Sequence, residues 1–258
     1  MACPRPIVRL FVDQSLAAGA TIGLSAERAH YLNHVMRSRR GEALALFNGR
    51  DGEWRARIDA VERGWCSLSI AERLRPQSAE CDLWLAFAPV KRARIDFIAE
   101  KATELGVAAL QPVFTRLTSV DRINTARLVA NATEAAEQCG RLTVPRVLEP
   151  RSLEHLLEGW PSERRLMWAD QSGAGAAPAR ALGQAEAGPW AVLVGPEGGF
   201  AAEERAALER LPFAVAVSLG PRMLRADTAV VAALSLWQHY LGDWRDWRDR
   251  GAGARPEG

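Results

Sequence analysis

The sequence predicts a two-part α/β protein: a small, β-rich, barrel-like amino-terminal domain, then a larger domain built on a mostly parallel sheet. Three observations point there. The first seventy-odd residues hold short strand-like runs around a glycine-rich hairpin signal, with one helical stretch among them. From Leu83 onward, short apolar runs alternate with helical segments, as in a parallel sheet covered on both faces. The last two runs, Ala191-Val192-Leu193-Val194 and Ala214 to Leu219, each empty into a glycine-containing loop that opens a helix.

Taken in order, Ile7 to Val12 alternates as a strand, and Ser25 is placed to cap a helix from Ala26 to Arg37. Ala43 to Phe47 and Glu53 to Ala60 are strand-like and are joined by Asn48-Gly49-Arg50-Asp51-Gly52, a hairpin signal; Trp65 to Ile70 adds another strand. Arg73 to Glu80 breaks the pattern and reads as a linker, which divides the chain into domains 1–76 and 80–243. Leu83 to Ala88, Ala109 to Phe114, Val144 to Leu148 and Leu166 to Ala169 read as strands. Arg92 to Leu105, Arg122 to Cys139 and Leu153 to Leu157 read as helices. Gln171 to Gly188, rich in Gly and Ala, reads as an exposed loop. Residues 244–258 read as a fraying tail, whose Trp244 and Trp247 either pack on the domain or meet RNA.

Composition excludes several classes. With 258 residues, 48% hydrophobic and 25% charged, the chain can bury a sizeable core and has the balance of a soluble globular protein. Met1 to Leu10 carries Arg5 and Arg9 and no signal-length apolar run, and no segment is long and apolar enough to span a bilayer. A cytoplasmic protein is expected. Cys3, Cys66, Cys81 and Cys139 are widely separated, so neither a disulfide framework nor a zinc site is suggested. His30 and His34 stand one helical turn apart with no third ligand nearby; no metal is expected, and packing or a partner explains them. The net charge is +2, but residues 1 to 79 hold twelve Arg against eight Asp or Glu, +4, which leaves −2 for the remainder. Within this basic part, Arg37-Ser38-Arg39-Arg40-Gly41 is either a set of cations at a helix carboxy-terminus or a phosphate-contacting patch.

The two glycine loops emerge at the carboxyl edge of a parallel sheet, where open α/β sheets bind ligands. The first holds three glycines, Gly195, Gly198 and Gly199; the second holds Gly220 with Arg222 and Arg225. Gly195 to Phe200 matches neither the G-x-G-x-x-G dinucleotide spacing nor a Gly-Lys-Ser/Thr phosphate loop, which argues against NAD and ATP.

Leu193-Val194-Gly195-Pro196-Glu197-Gly198-Gly199-Phe200, paired with Leu219-Gly220-Pro221-Arg222-Met223-Leu224-Arg225-Ala226-Asp227-Thr228-Ala229, resembles the two carboxy-terminal motifs of the ribosomal RNA small subunit methyltransferase E family. Ala29 to Arg37, Glu100 to Val107 and Glu137-Gln138-Cys139-Gly140-Arg141 agree with that family. One departure stands out: Ala226-Asp227-Thr228 replaces the family's usual Thr-Glu-Thr. The resemblance implies a PUA-like first domain that helps hold RNA, and a SPOUT second domain with a carboxy-terminal trefoil knot. It also implies a homodimer, S-adenosylmethionine as cofactor, and N3 of one uridine in 16S ribosomal RNA as methyl acceptor.

Carried over by motif, the cofactor contacts fall on Val194, Gly195, Glu197, Gly198, Gly199, Leu219, Gly220, Met223 and Leu224. RNA contacts are expected at Arg9, Arg37, Arg39, Arg40, Gln138, Arg141 and Arg222; Gln138 and Arg141 read equally as a helix end stopped by Gly140. Arg225 is the candidate cation over the uracil anion, or it pairs with Asp227 or caps the loop. Asp227 accepts the N3 proton, or it serves as a helix amino-terminal cap. The competing class is a non-catalytic RNA-binding or ribosome-assembly protein of the same fold, which would bind no S-adenosylhomocysteine.

Overall fold

A computed structural model describes residues 8–62 and 64–245. They fall into two compact units. The first runs to Ala79 and also takes in Ala136–Val144, whereas the second comprises Glu80–Ala135 and the residues from Pro145 onward.

The first unit contains β1 (Arg9–Phe11), β2 (Thr21–Leu24), α1 (Ala26–His30), β3 (Ala43–Phe47), β4 (Glu53–Glu62) and β5 (Trp65–Arg75). Its sheet runs β1-β3-β4-β5-β2, with β1 parallel to β3 and the other pairs antiparallel. Alternation along the strands sends Leu10, Ile22, Leu44, Leu46, Ile58 and Leu68 into one core. Ser25 caps α1 as expected, its Oγ accepting the Arg28 N–H at 3.4 Å. The helix is shorter than predicted, because the backbone slips into a π-helical turn over Tyr31–Val35. Arg37 follows at φ 54°, the left-handed conformation usually left to glycine, at a cost of about 1 kcal/mol. β5 extends into the segment read as a linker, paired to β4 through three register shifts.

The long helix α3 (Thr125–Cys139) contributes its last turn to this unit. Ala136, Leu142 and Val144 pack against Phe11 and Phe47. Arg9 donates from Nη1 to the carbonyls of Ala136 (2.8 Å) and Glu137 (2.9 Å), and from Nη2 to that of Arg141 (2.6 Å). Arg75 Nη2 donates to the Gly140 carbonyl at 2.8 Å. Both guanidiniums thus satisfy carbonyls at the negative end of the helix dipole. Glu53 lies between them, 2.6 Å from Arg9 Nε and 2.7 Å from Arg75 Nε. Burial pushes the Glu53 carboxyl up, but the bonds from Arg75 and Arg9 outweigh it and hold it below its ordinary value. Arg9, expected as an RNA contact, has a structural role in this unit: every guanidinium nitrogen donates inside the fold.

The second unit contains β6 (Leu83–Phe87), α2 (Arg92–Glu104), β7 (Ala109–Phe114), most of α3, β8 (Arg146–Val147), β9 (Arg151–Ser152), α4 (Leu153–Glu158) and β10 (Arg165–Ala169). It continues through α5 (Pro178–Leu182), β11 (Trp190–Val194), α6 (Ala202–Glu209), β12 (Ala214–Val217) and α7 (Ala226–Tyr240). The strands form one parallel sheet in the order β12-β10-β11-β6-β7-β8, with β9 added beside β7. All five residues of β11 are buried, as its unbroken apolar run requires. β12 differs from expectation: it is an edge strand with three of its four residues half-buried. β10 separates it from β11. The stretch predicted as loop contains α5, which starts on Pro178. Trp244 is 45% exposed, and the remaining tail, 246–258 with Trp247, lies outside the described residues. Among the described residues no helix is long and apolar enough to cross a membrane.

Candidate active site

Because β10, β11 and β12 are parallel, their carboxyl ends open on one edge, and their three loops enclose a cleft of about 270 Å³. The β11 loop brings Val194, Gly195, Gly199 and Phe200 to it. The β12 loop brings Leu219, Gly220, Met223 and Leu224, with Arg222 beside them. The third wall is Asp170 to Gly173, after β10. Seven predicted cofactor positions thus converge: Val194, Gly195, Gly199, Leu219, Gly220, Met223 and Leu224.

Glu197 and Gly198 do not line the cleft. Glu197 Oε1 accepts from Arg94 Nη1 of α2 at 2.9 Å, and a Cβ on Gly198 would instead approach Leu117 at 3.4 Å. Two other glycines in this loop are forced by close approach. Gly199 sits at φ 71°, where a Cβ would collide with the Gln171 side-chain amide. At Gly195 a Cβ would press on the Phe200 ring at 3.1 Å. That ring is itself held edge-on by Trp168, with centroids 5.9 Å apart.

Sequence reasoning missed the β10 loop. Asp170 accepts from the Ser172 N–H (3.0 Å), the Ser172 hydroxyl (2.7 Å) and the Gly175 N–H (2.9 Å), and Arg205 Nε lies at 3.9 Å. Burial raises the Asp170 carboxyl, and these donors more than reverse the effect, so it stays below its ordinary value. Ala176 then bridges to Val217, tying the loop to β12. The readable signal was an Asp after a strand with Ser and Gly close behind, the pattern of an Asx turn.

Arg225 occupies the cap position of α7 in extended conformation (φ −68°, ψ 155°), and its side chain makes no cap bond. It is exposed and has no ion-pair partner among the described residues. This corrects both the Asp227 cap reading and the Arg225–Asp227 pair. Asp227 lies inside the first helical turn: its Oδ1 accepts the Thr228 N–H at 2.9 Å, and its Oδ2 is 3.9 Å from Arg94 Nε. Arg94, absent from the predicted site, therefore bridges Glu197 in one loop and Asp227 at the start of α7.

The remaining candidates divide. Arg222 is in the second unit, at the cleft. Arg37, Arg39, Arg40 and Gln138 are exposed in the first unit. Arg141, half-buried there, donates to Thr143 Oγ1 at 3.0 Å. His30 and His34 meet ring to ring in a tilted arrangement, with centroids 4.4 Å apart.

Residues 77–238 match the family model described as an RNA methyltransferase domain, and residues 24–70 match an RNA methyltransferase PUA domain. The chain is similar to two proteins named ribosomal RNA small subunit methyltransferase E. The one from Rickettsia conorii is 29% identical, over 88% of this chain and 93% of the relative. The one from Synechocystis is 31% identical, over 88% and 76% respectively. Among solved structures, a putative methyltransferase from Legionella pneumophila with bound S-adenosylmethionine superposes with a TM-score of 0.84 at 29% identity, over 93% of this chain and all of that one. A ribosomal RNA small subunit methyltransferase E from Neisseria gonorrhoeae, bound to S-adenosylmethionine, gives 0.81 at 31%, over 92% and 99%. With a three-loop cleft at the edge of its parallel sheet and both domain models matched, this chain belongs to the ribosomal RNA small subunit methyltransferase E family.

Proposed function

We propose that the protein transfers a methyl group from S-adenosylmethionine to N3 of a specific uridine in 16S ribosomal RNA. The observation that carries this reading is the convergence of three strand-end loops on one cleft with Arg222 beside it and Arg225 at the start of α7. The residues present suit the cofactor: aliphatic Val194, Leu219 and Leu224 offer a surface for adenine, and the approach at Gly195 and Gly199 leaves no room for side chains. When bound, S-adenosylmethionine supplies an electrophilic methyl on a sulfonium, so the protein's task is to bind, orient and tune charge.

Two chain residues address the acceptor. Uracil N3 carries a proton that must leave before its lone pair attacks. Asp227 is the group proposed to accept that proton, directly or through water. Arg225, exposed and without an ion-pair partner among the described residues, is proposed to stabilise the anion at the uracil oxygens. Exposed Arg37, Arg39, Arg40 and Gln138 supply phosphate and RNA contacts in this reading. The family reading extends to a homodimer, a cytoplasmic setting, action on the small ribosomal subunit and a trefoil-knotted carboxy-terminal path.

The test is methyl transfer to small subunits purified from cells lacking the gene, with the modified position mapped by mass spectrometry. Modification at uridine N3 is expected. Binding of S-adenosylhomocysteine without transfer to any uridine would sink the proposal, and absence of such binding by calorimetry would favour a non-catalytic assembly role.

Two smaller effects are expected. Asp170→Asn breaks the pattern of donors around the β10 loop, and a mismatch of this kind costs roughly 1–3 kcal/mol. Calorimetry should find S-adenosylhomocysteine affinity about tenfold weaker. Asp227→Asn keeps the shape of the α7 first turn and removes a base that water can partly replace. A fall in kcat of roughly tenfold is expected, below the roughly 10²–10⁴ typical of general acid–base catalysis because water takes over part of the role, and smaller than the loss at Arg225. Single-turnover rates in the two variants compare them.

A further inference from the structure

We propose that a second cavity, at the start of α2, binds the nucleotide next to the modified base in the substrate strand. This assignment rests on the RNA methyltransferase reading above. The cavity, about 570 Å³, lies between the start of α2 and the segment leading into α3. Its apolar lining is Val90, Ile95, Val120, Ile123 and Leu128, within the size range of small-molecule pockets.

Charge selects the occupant. Arg127 and Asp96 form a two-pronged pair, Nε to Oδ1 at 2.7 Å and Nη2 to Oδ2 at 2.6 Å, and Asn131 donates to the same carboxylate at 2.8 Å. Asp96 is thereby neutralised. Lys91 and Arg122 also line the cavity, are exposed, and have no ion-pair partner among the described residues. An aliphatic floor rimmed by two unpaired cations matches a nucleobase carrying its phosphate better than it matches an apolar protein surface.

Position selects which nucleotide. Lys91 occupies the position that opens α2, and Arg94, three residues on, reaches Glu197 and Asp227. Lys91 and Ile95 of this first turn line the cavity, while Arg94 between them extends to Asp227, the residue proposed to take the N3 proton. A strand whose uracil is presented to Asp227 carries its neighbour past Lys91.

Two variants of the full-length protein test this with small subunits as substrate: Lys91→Ala/Arg122→Ala, which removes charge, and Ile123→Trp, which fills the cavity without changing charge. Both should raise KM for the RNA substrate at least tenfold, with kcat within twofold and S-adenosylhomocysteine affinity unchanged. In the double variant, the slope of log KM against log salt concentration should become shallower by about 0.7 per cation removed. Wild-type KM in both variants overturns the site. A change in sedimentation that accounts for the KM effect also overturns it, since the cavity would then be a contact between protein copies. If the wild-type protein transfers no methyl at all, the function proposal fails separately, and equal RNA affinity of wild type and both variants in filter binding would overturn the site on its own.

Discussion

Arg225→Ala is expected to lower kcat for methyl transfer by about 10²–10³, the usual loss when a preorganised donor to a developing anion is removed, or about 3–4 kcal/mol. Affinity for S-adenosylhomocysteine should stay within a few-fold, because Arg225 is not among the cleft-lining residues whereas its neighbours Leu224 and Ala226 are. The side chain has no partner among the described residues, so its removal leaves no buried group unsatisfied. Thermal stability should hardly change. Arg225→Lys should recover part of the rate, since a point charge replaces a forked planar donor. Single-turnover kinetics with calorimetry on the same preparations separates chemistry from binding; equal rates for wild type and Arg225→Ala would remove this residue from the mechanism.

Glu53→Ala should produce the largest loss of stability. Its carboxylate is nearly buried, with side-chain exposure of 8%, and joins two guanidiniums that are only partly in water. Breaking a buried pair by deleting one partner costs roughly 3–5 kcal/mol, and solvent access to Arg9 and Arg75 places this case near the lower end. Glu53→Gln should be milder, because an amide still accepts from one of them. The sign of the pH dependence follows from the depressed Glu53 carboxyl. A depressed folded value means the stabilisation is complete above the unfolded value near pH 4.5 and is lost as pH falls through the lower folded value. Thermal melts of wild type and Glu53→Gln should therefore differ most near pH 7 and converge in acid; a gap that stays constant to pH 3 would show that charge is not its origin.

Local signals and long-range ones explain what was legible. β11 was readable because five apolar residues, too few for a helix and rich in Val, end at a glycine loop, a pattern that favours a strand buried on both faces. β12 was readable as a strand but not as an edge. Its neighbour is decided by β10, which inserts between two strands consecutive in sequence, and no residue near β12 encodes that insertion. The same insertion explains why the site was two-thirds visible: the loops after β11 and β12 announce themselves by glycines, whereas Asp170 to Gly173 sits in a Gly- and Ala-rich run that resembles any surface loop. Arg94 was invisible for a related reason, since its partner Glu197 lies 103 residues away. Asp227 shows the opposite error. Its residue type fits a cap, but the backbone starts the helix two positions earlier, so the carboxylate turns toward Thr228 and Arg94.

The excursion Ala136–Val144 constrains how this protein is made. A ribosome emits the chain from its amino-terminus, yet Phe11 and Phe47 wait for Ala136 and Leu142, and Arg9 and Arg75 wait for carbonyls from Ala136 to Arg141. Translation must therefore pass roughly half the message before the leading portion can close. A gene fragment truncated at Ala79 would yield a polypeptide with its greasy flank bare, prone to clumping, whereas one carried through Val144 would at least encode the missing lid.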